Sequence, residues 1–479
     1  MRRLSVIFVG LIFFTNVSAQ NFNDALRIVG YSPESNARAV GMGNAFDAVS
    51  DNYSATYFNP AGLAQIRYFE ISTGFEWMNK NTETAFLNNS YQSKKDKFSF
   101  NEMGFVFPVS SYGGNFVFSM GYNRRKNFIN RIDYNGYNQN SSLVPFLTAS
   151  NDDLMYELAL SYPIYNGNDY LYDKTIIDGR MQQSGYIDEY GYLDNWSVAF
   201  ASKIGKDLSW GITFNYIAGS YHNEHYSYEE DVNNYYDRNT LTDPAEPSTA
   251  DFQNFYLRDI LDWSTDGWEA KLGILFEARK NWKISGTIKF PGWTTIKEDY
   301  YVEGKSRFGT GASFSINPPY LNKVQYTVQS PFEFTMGSAY KLSYLLFSGQ
   351  VQFIDYYHLR FSNGYSSFDI GGRNAEIQDM LTGAFNYNVG LEFLIPNLPV
   401  KLRGGFIYQT SPFKNDPAEY DKKYFTMGLG IGATRTMELN LAYVHGWTKN
   451  FGDLYGAGEA RYFTDNSANK LMMTFNFRY

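Results

Sequence analysis

Short runs that alternate apolar and polar residues recur along the chain, and the clearest of them ends at the C-terminus. Its apolar positions are Leu471, Met473, Phe475, Phe477 and Tyr479. This alternation predicts a β-strand with one apolar face, because successive side chains of a strand point to opposite sides. An amphipathic edge strand of a soluble protein is the alternative interpretation of this run.

Thirteen further runs alternate in the same way, which makes fourteen predicted strands. They lie near residues 69–77, 105–109, 116–122, 196–200, 210–216, 272–276, 282–290, 332–336, 347–353, 387–393, 402–408, 425–431 and 437–443. Short turns and long polar segments alternate strictly between them, so the strands are expected to run up and down in antiparallel order. The long segments are roughly 78–97, 125–194, 222–266, 297–325, 361–384, 411–422 and 447–468. We expect these to be loops, which leaves the strands under half of the chain.

One more alternating run, from Leu154 to Tyr162, would make the number of strands odd. An odd number would place the short turn at 205–207 at the same end of the barrel as the long loops. Leu154 and Leu158 are also four residues apart, which suits a helix. We therefore interpret this run as an ordered, partly helical part of the second long loop.

The composition tells which kind of β-protein this is. Aromatic residues make up 19% of the chain, mean hydropathy is -0.40, and cysteine is absent. After the N-terminal region no apolar run approaches the length of a transmembrane helix. A polar average with apolar residues at every second position is what a transmembrane β-barrel needs, since lipid contacts alternate side chains and the lumen the others. The expected fold is thus an all-β, antiparallel transmembrane barrel of about fourteen strands in the cell outer membrane.

The N-terminus has the features of an export signal. Arg2 and Arg3 precede the apolar stretch Leu4 to Phe14, and Val17-Ser18-Ala19 suits a signal peptidase. An uncleaved anchor is the alternative, although the stretch is short for a membrane span. The expected organisation is a signal peptide at 1–19, a separate segment at 20–66 and the barrel at 67–479. Loss of the two arginines would move the formal net charge from -8 to -10, which argues against nucleic acid as a partner.

Segment 20–66 shows no strand alternation, and its simplest place is inside the barrel, as a hatch. Small residues such as Gly41 and Gly43 would allow tight packing there, and Asn59-Pro60 predicts a turn. The alternative is a helix packed on a core with a capping turn after it. These features alone do not choose between the two.

A motif in this segment resembles the hatch of the long-chain fatty-acid outer-membrane transporter family (FadL and its aromatic-hydrocarbon relatives). The matching residues are Ala37, Arg38, Ala39, Gly41, Gly43, Ala45, Ala55, Asn59, Pro60, Ala61, Gly62 and Leu63. A weaker likeness covers 405–412 with Pro417 and Asp421. The resemblance implies a plugged barrel whose hatch or gating residues include Arg38, Gly41, Gly43, Asn59, Pro60 and Ala61. A related branch with a similar pattern serves protein secretion.

Candidates for chemistry are few. His222 and His225 lie three residues apart in an acidic segment, where a solvated surface is the better interpretation than a metal site. No nucleophile–His–acid set can be assembled, so we expect no enzyme, no metal and no cofactor. Arg38, alone among small residues, needs a partner. It either pairs with Asp47, Asp51 or a lumen carboxylate, or meets an anionic head group.

The expected function is passive uptake of hydrophobic small molecules such as long-chain fatty acids, by a monomer surrounded by outer-membrane lipid. An apolar cluster in the third long segment is the candidate ligand site: Phe252, Phe255, Tyr256, Leu257, Ile260, Leu261 and Trp263. A loop helix packed on the barrel rim would explain the same cluster. Pro291, Gly292 and Pro331 are candidate strand kinks for a side exit, with a plain bulge as the alternative. A protein-binding shuttle or structural barrel of a secretion system is the rival function.

Overall fold

The chain folds into one closed antiparallel barrel of fourteen strands, as the alternation predicted. The computed structural model describes residues 22–30, 36–111, 114–150, 153–364, 367–432, 434, 436–456, 458 and 460–479. The predicted signal peptide lies outside these residues. The first strand pairs with the last from Glu70–Arg478 to Phe86–Tyr462, which closes the barrel.

The strands follow one another around the barrel in chain order. They are β1 Glu70–Phe86, β2 Asn89–Ser111, β3 Gly114–Asn138, β4 Met181–Ile204, β5 Leu208–Glu230, β6 Phe252–Arg279, β7 Trp282–Lys289 with Trp293–Phe308, β8 Tyr320–Gln329 with Glu333–Leu342, β9 Leu345–Asp355, β10 Gly383–Leu394, β11 Val400–Gln409, β12 Lys422–Gly432, β13 Met437–Asp453 and β14 Arg461–Arg478. The minor strand Ser313–Ser315 pairs with β7, and Arg360–Asn363 pairs with β8.

The lower barrel, at the end with the short turns, has an apolar outside and a polar inside. On β5, Trp210 and Phe214 are 38% and 47% exposed, whereas Thr213 and Asn215 are buried toward the lumen. Such an inverted pattern is stable where lipid rather than water surrounds a barrel.

The upper barrel corrects the expectation that the long polar segments are loops. Segment 78–97 is two strands joined by a tight turn, in which Leu87 and Asn88 have φ angles of 45° and 67°. The β4–β5 ladder likewise continues to Gln182–Glu230. Strands therefore take more than half of the described residues, not under half. In these extensions tyrosines alternate with charged residues, so the hydrophobic pattern fades while the backbone ladder continues.

The connection between β3 and β4 closes the upper end. It contains the helix Leu143–Ala149, the helical turn Leu154–Glu157, and a hairpin of Tyr162–Asn166 with Asp169–Lys174. The interpretation of the Leu154 run as a partly helical loop is thus confirmed. Buried residues of the connection pack on Phe252, Phe255 and Phe308 of the wall. We call this connection, residues 139–180, the upper cover.

Helices are short throughout the part of the chain that the structure describes. The longest is Ser367–Met380, between β9 and β10. No described helix has the length and hydropathy required to cross a membrane.

Candidate functional site: the plugged lumen and its upper chamber

The described parts of segment 20–66 lie inside the barrel. They form α1 Phe22–Val29, α2 Ala37–Gly41 and two 3-10 helices, Tyr53–Thr56 and Pro60–Gln65. Residues 37–49 are all buried, by the surrounding wall and by contacts within the segment. We call residues 36–66 the hatch and treat α1 separately, because different contacts hold it.

Glycines on both sides allow the hatch to lie directly against the wall. A Cβ added to Gly43, whose φ is 61°, would lie 2.6 Å from the carbonyl oxygen of Val389. A Cβ added to Gly405 would lie 2.2 Å from the backbone nitrogen of Gly43. Gly41 faces Gly428 in the same way, with an added Cβ 2.9 Å from its Cα. Side chains at these positions would push the two backbones apart.

The Asn59-Pro60-Ala61 turn is tied both to the hatch and to the wall. The Asn59 side chain accepts a hydrogen bond from the Ala61 nitrogen at 3.0 Å, and so caps the 3-10 helix that Pro60 begins. The Asn59 amide also donates to the carbonyl oxygen of Ile274 in β6, at 3.0 Å. The predicted turn thus anchors the hatch.

Arg38 pairs with carboxylates, which was one of its two sequence interpretations. Its guanidinium donates from Nε to Glu392 at 2.9 Å and from Nη1 to Asp51 at 2.5 Å. Arg403 of β11 donates to the same Glu392 at 2.7 Å. Burial opposes the charge of Arg38, but Asp51 and Glu392 raise its pKa well above the usual value. A head-group role would require Arg38 to give up these partners.

Asp47, another possible partner for Arg38, lies elsewhere. It accepts a hydrogen bond from Ser285 of β7 at 2.6 Å. Burial raises the pKa of Asp47 to about 7, against the opposing effect of its hydrogen bonds and of Lys271. This carboxyl therefore titrates near neutral pH.

The proposed strand kinks lie at real interruptions of β7 and β8, at residues 290–292 and 330–332. Backbone hydrogen bonds still cross them, from the Phe290 nitrogen to Ala270 and from the Ser330 nitrogen to Gly292, both at 2.9 Å. The wall is thus bent at Pro291-Gly292 and Pro331 but remains joined, which suits the bulge interpretation.

A chain of ion pairs spans the inner face of these bends. Arg125 binds Glu269 at 2.8 Å, Glu269 binds Lys289 at 3.3 Å, and Lys289 binds Glu333. The same residues line a polar cavity between the hatch and the wall. Its chemistry suits water better than an apolar solute.

Between β2 and β3, in contrast, the ladder stops halfway up the barrel. It runs from Ser111–Gly114 to Glu102–Asn123, and above this point β3 pairs only with β4 among its described ladders. Lys95 and Lys97 of β2 reach past β3 to carbonyl oxygens of β4, those of Glu189 and Gly191, at 3.1 and 2.6 Å. Side chains rather than backbone therefore close this wall gap.

Above the hatch, apolar side chains of the wall surround α1, and we call this part of the lumen the upper chamber. Its buried wall residues are Phe128, Leu193, Ile217, Tyr221, Trp263, Ile296, Tyr326, Val328 and Phe361. Ala25, Ile28 and Val29 of α1 fill it. α1 is too short to be stable as an isolated helix, so these contacts maintain it.

The predicted ligand cluster divides between two regions of β6. Trp263 and, partly buried, Leu261 belong to the upper chamber, whereas Phe252, Phe255 and Leu257 pack under the upper cover. Tyr256 stacks on Tyr226 at 5.7 Å, and Ile260 is half-buried. The expected loop or loop helix is wrong, because β6 begins at Phe252.

Sequence reasoning missed most of the chamber wall. Phe128, Tyr221 and Tyr326 come from three strands whose upper halves look like polar loops in the sequence. The period-2 spacing of Leu261 and Trp263 was the available signal for an inward-facing strand.

The chamber also holds a cation and its carboxylate partners. Arg27 of α1 lies 4.6 Å from the ring centroid of Tyr221 and 5.6 Å from that of Trp263. It pairs with Asp24 at 2.6 Å and with Glu189 at 3.3 Å. Burial opposes its charge, but Tyr221, Glu189 and Asp24 raise the pKa of Arg27 above its usual value.

Nothing in the described ranges is arranged for metal binding. No group of three or more His, Cys, Asp and Glu residues there could hold an ion. His222 pairs with Asp262 at 2.6 Å and stacks on Tyr190 at 4.3 Å, so it belongs to a surface network.

No protein-family model matches the chain, and no curated protein matches it. Solved structures do. The toluene transporter TodX of Pseudomonas putida aligns with a TM-score of 0.56 at 11% identity, over 93% of this chain and 99% of that one. A Pseudomonas aeruginosa FadL homologue aligns with a TM-score of 0.56 at 10% identity, over 93% and 99%. The monoaromatic hydrocarbon channel CymD aligns with a TM-score of 0.53 at 10% identity, over 93% and 98%.

The chain has the fold of these barrels. The resemblance stated from the N-terminal motif is therefore confirmed at the level of fold. These neighbours are channels and transporters, not enzymes. An identity of 10–11% shows a shared fold and does not show a shared ligand.

Proposed function

We propose that this protein is an outer-membrane transporter for the passive uptake of hydrophobic small molecules. The observation that carries the proposal is the upper chamber, an apolar space inside a barrel whose lower lumen is polar. Burial of an alkyl chain there would contribute roughly 0.8 kcal/mol per methylene. A polar pore provides no comparable stabilisation.

The hatch determines the kind of transport. Because residues 36–66 fill the lower lumen, a solute in the chamber meets a closed axial path. The wall gap between β2 and β3 offers a route to the side, since Phe128 of β3 lines the chamber and β3 has no ladder to β2 at that height. This route replaces the one suggested by Pro291, whose strand remains hydrogen-bonded.

Long-chain fatty acids are the finer form of the proposal, and the chamber weighs against them. The carboxylates of Glu189 and Glu298 face the chamber, and Lys126 donates to the carbonyl oxygen of Arg27 at its edge. A fatty-acid carboxylate would enter beside the negatively charged carboxylate of Glu189. Neutral hydrocarbons, alcohols and amines meet no such penalty.

The rival function keeps one observation in its favour. The hairpin of the upper cover exposes Tyr165, Tyr170 and Tyr172, each more than half exposed. Exposed aromatic side chains suit a protein partner. A secretion barrel would bind such a partner stoichiometrically, and the purified protein would carry no hydrophobic ligand.

The test compares two residues of one strand. Purified protein in nanodiscs is titrated with radiolabelled decanol, with empty nanodiscs as the blank. Trp263→Ala should weaken binding at least tenfold, because it removes a chamber wall, whereas Phe255→Ala, under the cover, should leave affinity within twofold. Mass spectrometry of the extracted protein supplies the second arm. Equal decanol binding to protein discs and empty discs, together with a stoichiometric protein partner, would overturn the transporter proposal.

A further inference from the structure

Helix α1 occupies the upper chamber, and its side chains show which chemical groups the chamber accepts. α1 presents apolar side chains, Ala25, Ile28 and Val29, and one cation, Arg27, which pairs with Asp24 of the same helix at 2.6 Å. The barrel wall contacts the cation through Tyr221 of β5, Trp263 of β6 and Glu189 of β4. We call these three residues the Arg27 seat.

The seat is built independently of α1. The Tyr221 hydroxyl donates to Glu189, and Asn130 donates to the other oxygen of the same carboxylate at 2.9 Å. The Tyr221 and Trp263 rings lie side by side, with centroids 4.7 Å apart. Two electron-rich ring faces beside a held carboxylate are the combination that recognises organic cations.

A second acceptor lies next to the seat and is not satisfied. One oxygen of Glu298 accepts hydrogen bonds from Trp263 at 2.8 Å and from the Tyr326 hydroxyl at 3.1 Å. The other oxygen, Oε1, is buried and has no hydrogen-bond partner within the described residues. A buried acceptor without a donor could accept a hydrogen bond from a ligand group that α1 does not supply.

Two lysines also lie nearby and would favour the opposite charge. Lys126 Nζ donates to the carbonyl oxygen of Arg27 at 2.8 Å, and Lys80 interacts electrostatically with Glu189. Lys126 lies over the ring of Phe128, at 5.3 Å, outside the seat itself. The two rings and the one carboxylate of the seat, rather than these lysines, contact the guanidinium.

We propose that the Arg27 seat is a binding site for the cationic or hydrogen-bond-donating head of a hydrophobic ligand, such as an alkylammonium ion, which displaces α1. The inference rests on the proposed function and names the class of molecule that the upper chamber prefers. The ligand's apolar part replaces Ala25, Ile28 and Val29, and its ammonium group replaces the guanidinium.

The experiment uses three probes with the same chain length: decylammonium, decanol and decanoate. Each is titrated by equilibrium dialysis into the full-length protein in phosphatidylcholine nanodiscs, with empty nanodiscs subtracted. Decylammonium should bind at least tenfold tighter than decanoate. Glu189→Gln should weaken decylammonium binding about tenfold without weakening decanol binding, because the amide keeps the shape of the side chain and removes its charge.

A second variant tests displacement. Arg27→Met should tighten decylammonium binding about tenfold, because the internal cation no longer competes for the seat. Arg180→Met is the matched control. Its guanidinium also lies over an aromatic ring, 4.0 Å from the centroid of Tyr235, but outside the seat, so its loss should leave decylammonium binding unchanged. Decanol should bind each variant at least as tightly as it binds the unaltered protein, which shows that the variants are folded, and the gain for decylammonium in Arg27→Met should exceed any gain for decanol.

The outcomes separate the two proposals. If decanoate binds as tightly as decylammonium, or if Glu189→Gln leaves the amine unaffected while decanol still binds, the cation seat is wrong and the transporter proposal stands. If none of the three probes binds beyond the empty-disc blank, both proposals are wrong.

Discussion

The hatch and α1 are two parts of one N-terminal segment inside one barrel, yet they are held in different ways. The hatch touches the wall backbone to backbone at Gly43 and Gly405, and it is tied by the buried ion pair of Arg38 with Glu392. α1 is held by apolar side chains and by the partly exposed ion pair of Arg27 with Glu189. Polar contacts at fixed spacing hold one geometry, whereas apolar contacts accept any occupant of suitable volume. The difference indicates a permanent plug below and a replaceable occupant above.

The largest expected effect comes from adding a side chain where the two backbones meet. Gly405→Val should release the hatch, because even its Cβ would lie 2.2 Å from the Gly43 nitrogen. Release is measured as labelling of a Ser50→Cys reporter, since the chain has no other cysteine and Ser50 is fully buried. Gly404→Val is the control, as its Cβ would have no neighbour within 4 Å. Equal labelling of the two variants would contradict the close-contact argument.

Loss of the buried ion pair should have the next largest effect. Arg38→Met leaves Glu392 with Arg403 as its remaining cation and should lower the stability of hatch docking by about 3 kcal/mol. The urea midpoint for thiol exposure of the same reporter measures it. Lys323→Met, which removes an exposed pair with Asp299 at 3.1 Å, should cost about 0–1 kcal/mol. Equal shifts of the urea midpoint in Arg38→Met and Lys323→Met would show that Arg38 does not anchor the hatch.

A smaller effect should depend on pH through Asp47. Its pKa is raised by burial to about 7, so the folded state holds the proton more tightly than the unfolded chain. The resulting stabilisation is complete below the ordinary Asp pKa and is lost as the pH rises through about 7. The reporter's urea midpoint should fall over this range, and Asp47→Asn should make the slope shallower. An unchanged slope in the variant would assign the pH dependence to another group.

The smallest effect on closure should come from α1. Ile28→Ala removes buried volume from the upper chamber, where it should weaken α1 docking by about 2 kcal/mol and leave the hatch reporter unchanged. Decanol affinity should rise, because the competing occupant binds less tightly. Asn23→Ala, on the exposed side of α1, is the control. A loss of hatch closure in Ile28→Ala would show that the two regions act as one unit.

The alternation of residues by itself determined the barrel. The lipid-facing half of each strand obeys a local rule, apolar at every second position, so runs such as 210–216 and 471–479 could be recognised one at a time. The hatch motif was equally local, because small residues at Gly41 and Gly43 indicate close packing whatever they touch. Both interpretations needed no knowledge of distant partners.

Only the tertiary structure decided what the lumen contains. Whether Arg38 would meet Asp47, Asp51 or a wall residue depended on the register of β10, 354 residues away along the chain. The upper chamber depended even more on how the strands are aligned. Its residues Phe128, Tyr221, Trp263 and Tyr326 converge from four strands, and the upper halves of these strands carry no lipid-facing pattern. Outside the membrane both faces of a strand can be polar or aromatic, so alternation no longer distinguishes inside from outside. Backbone pairing with the neighbouring strands alone sets which residues face the lumen there.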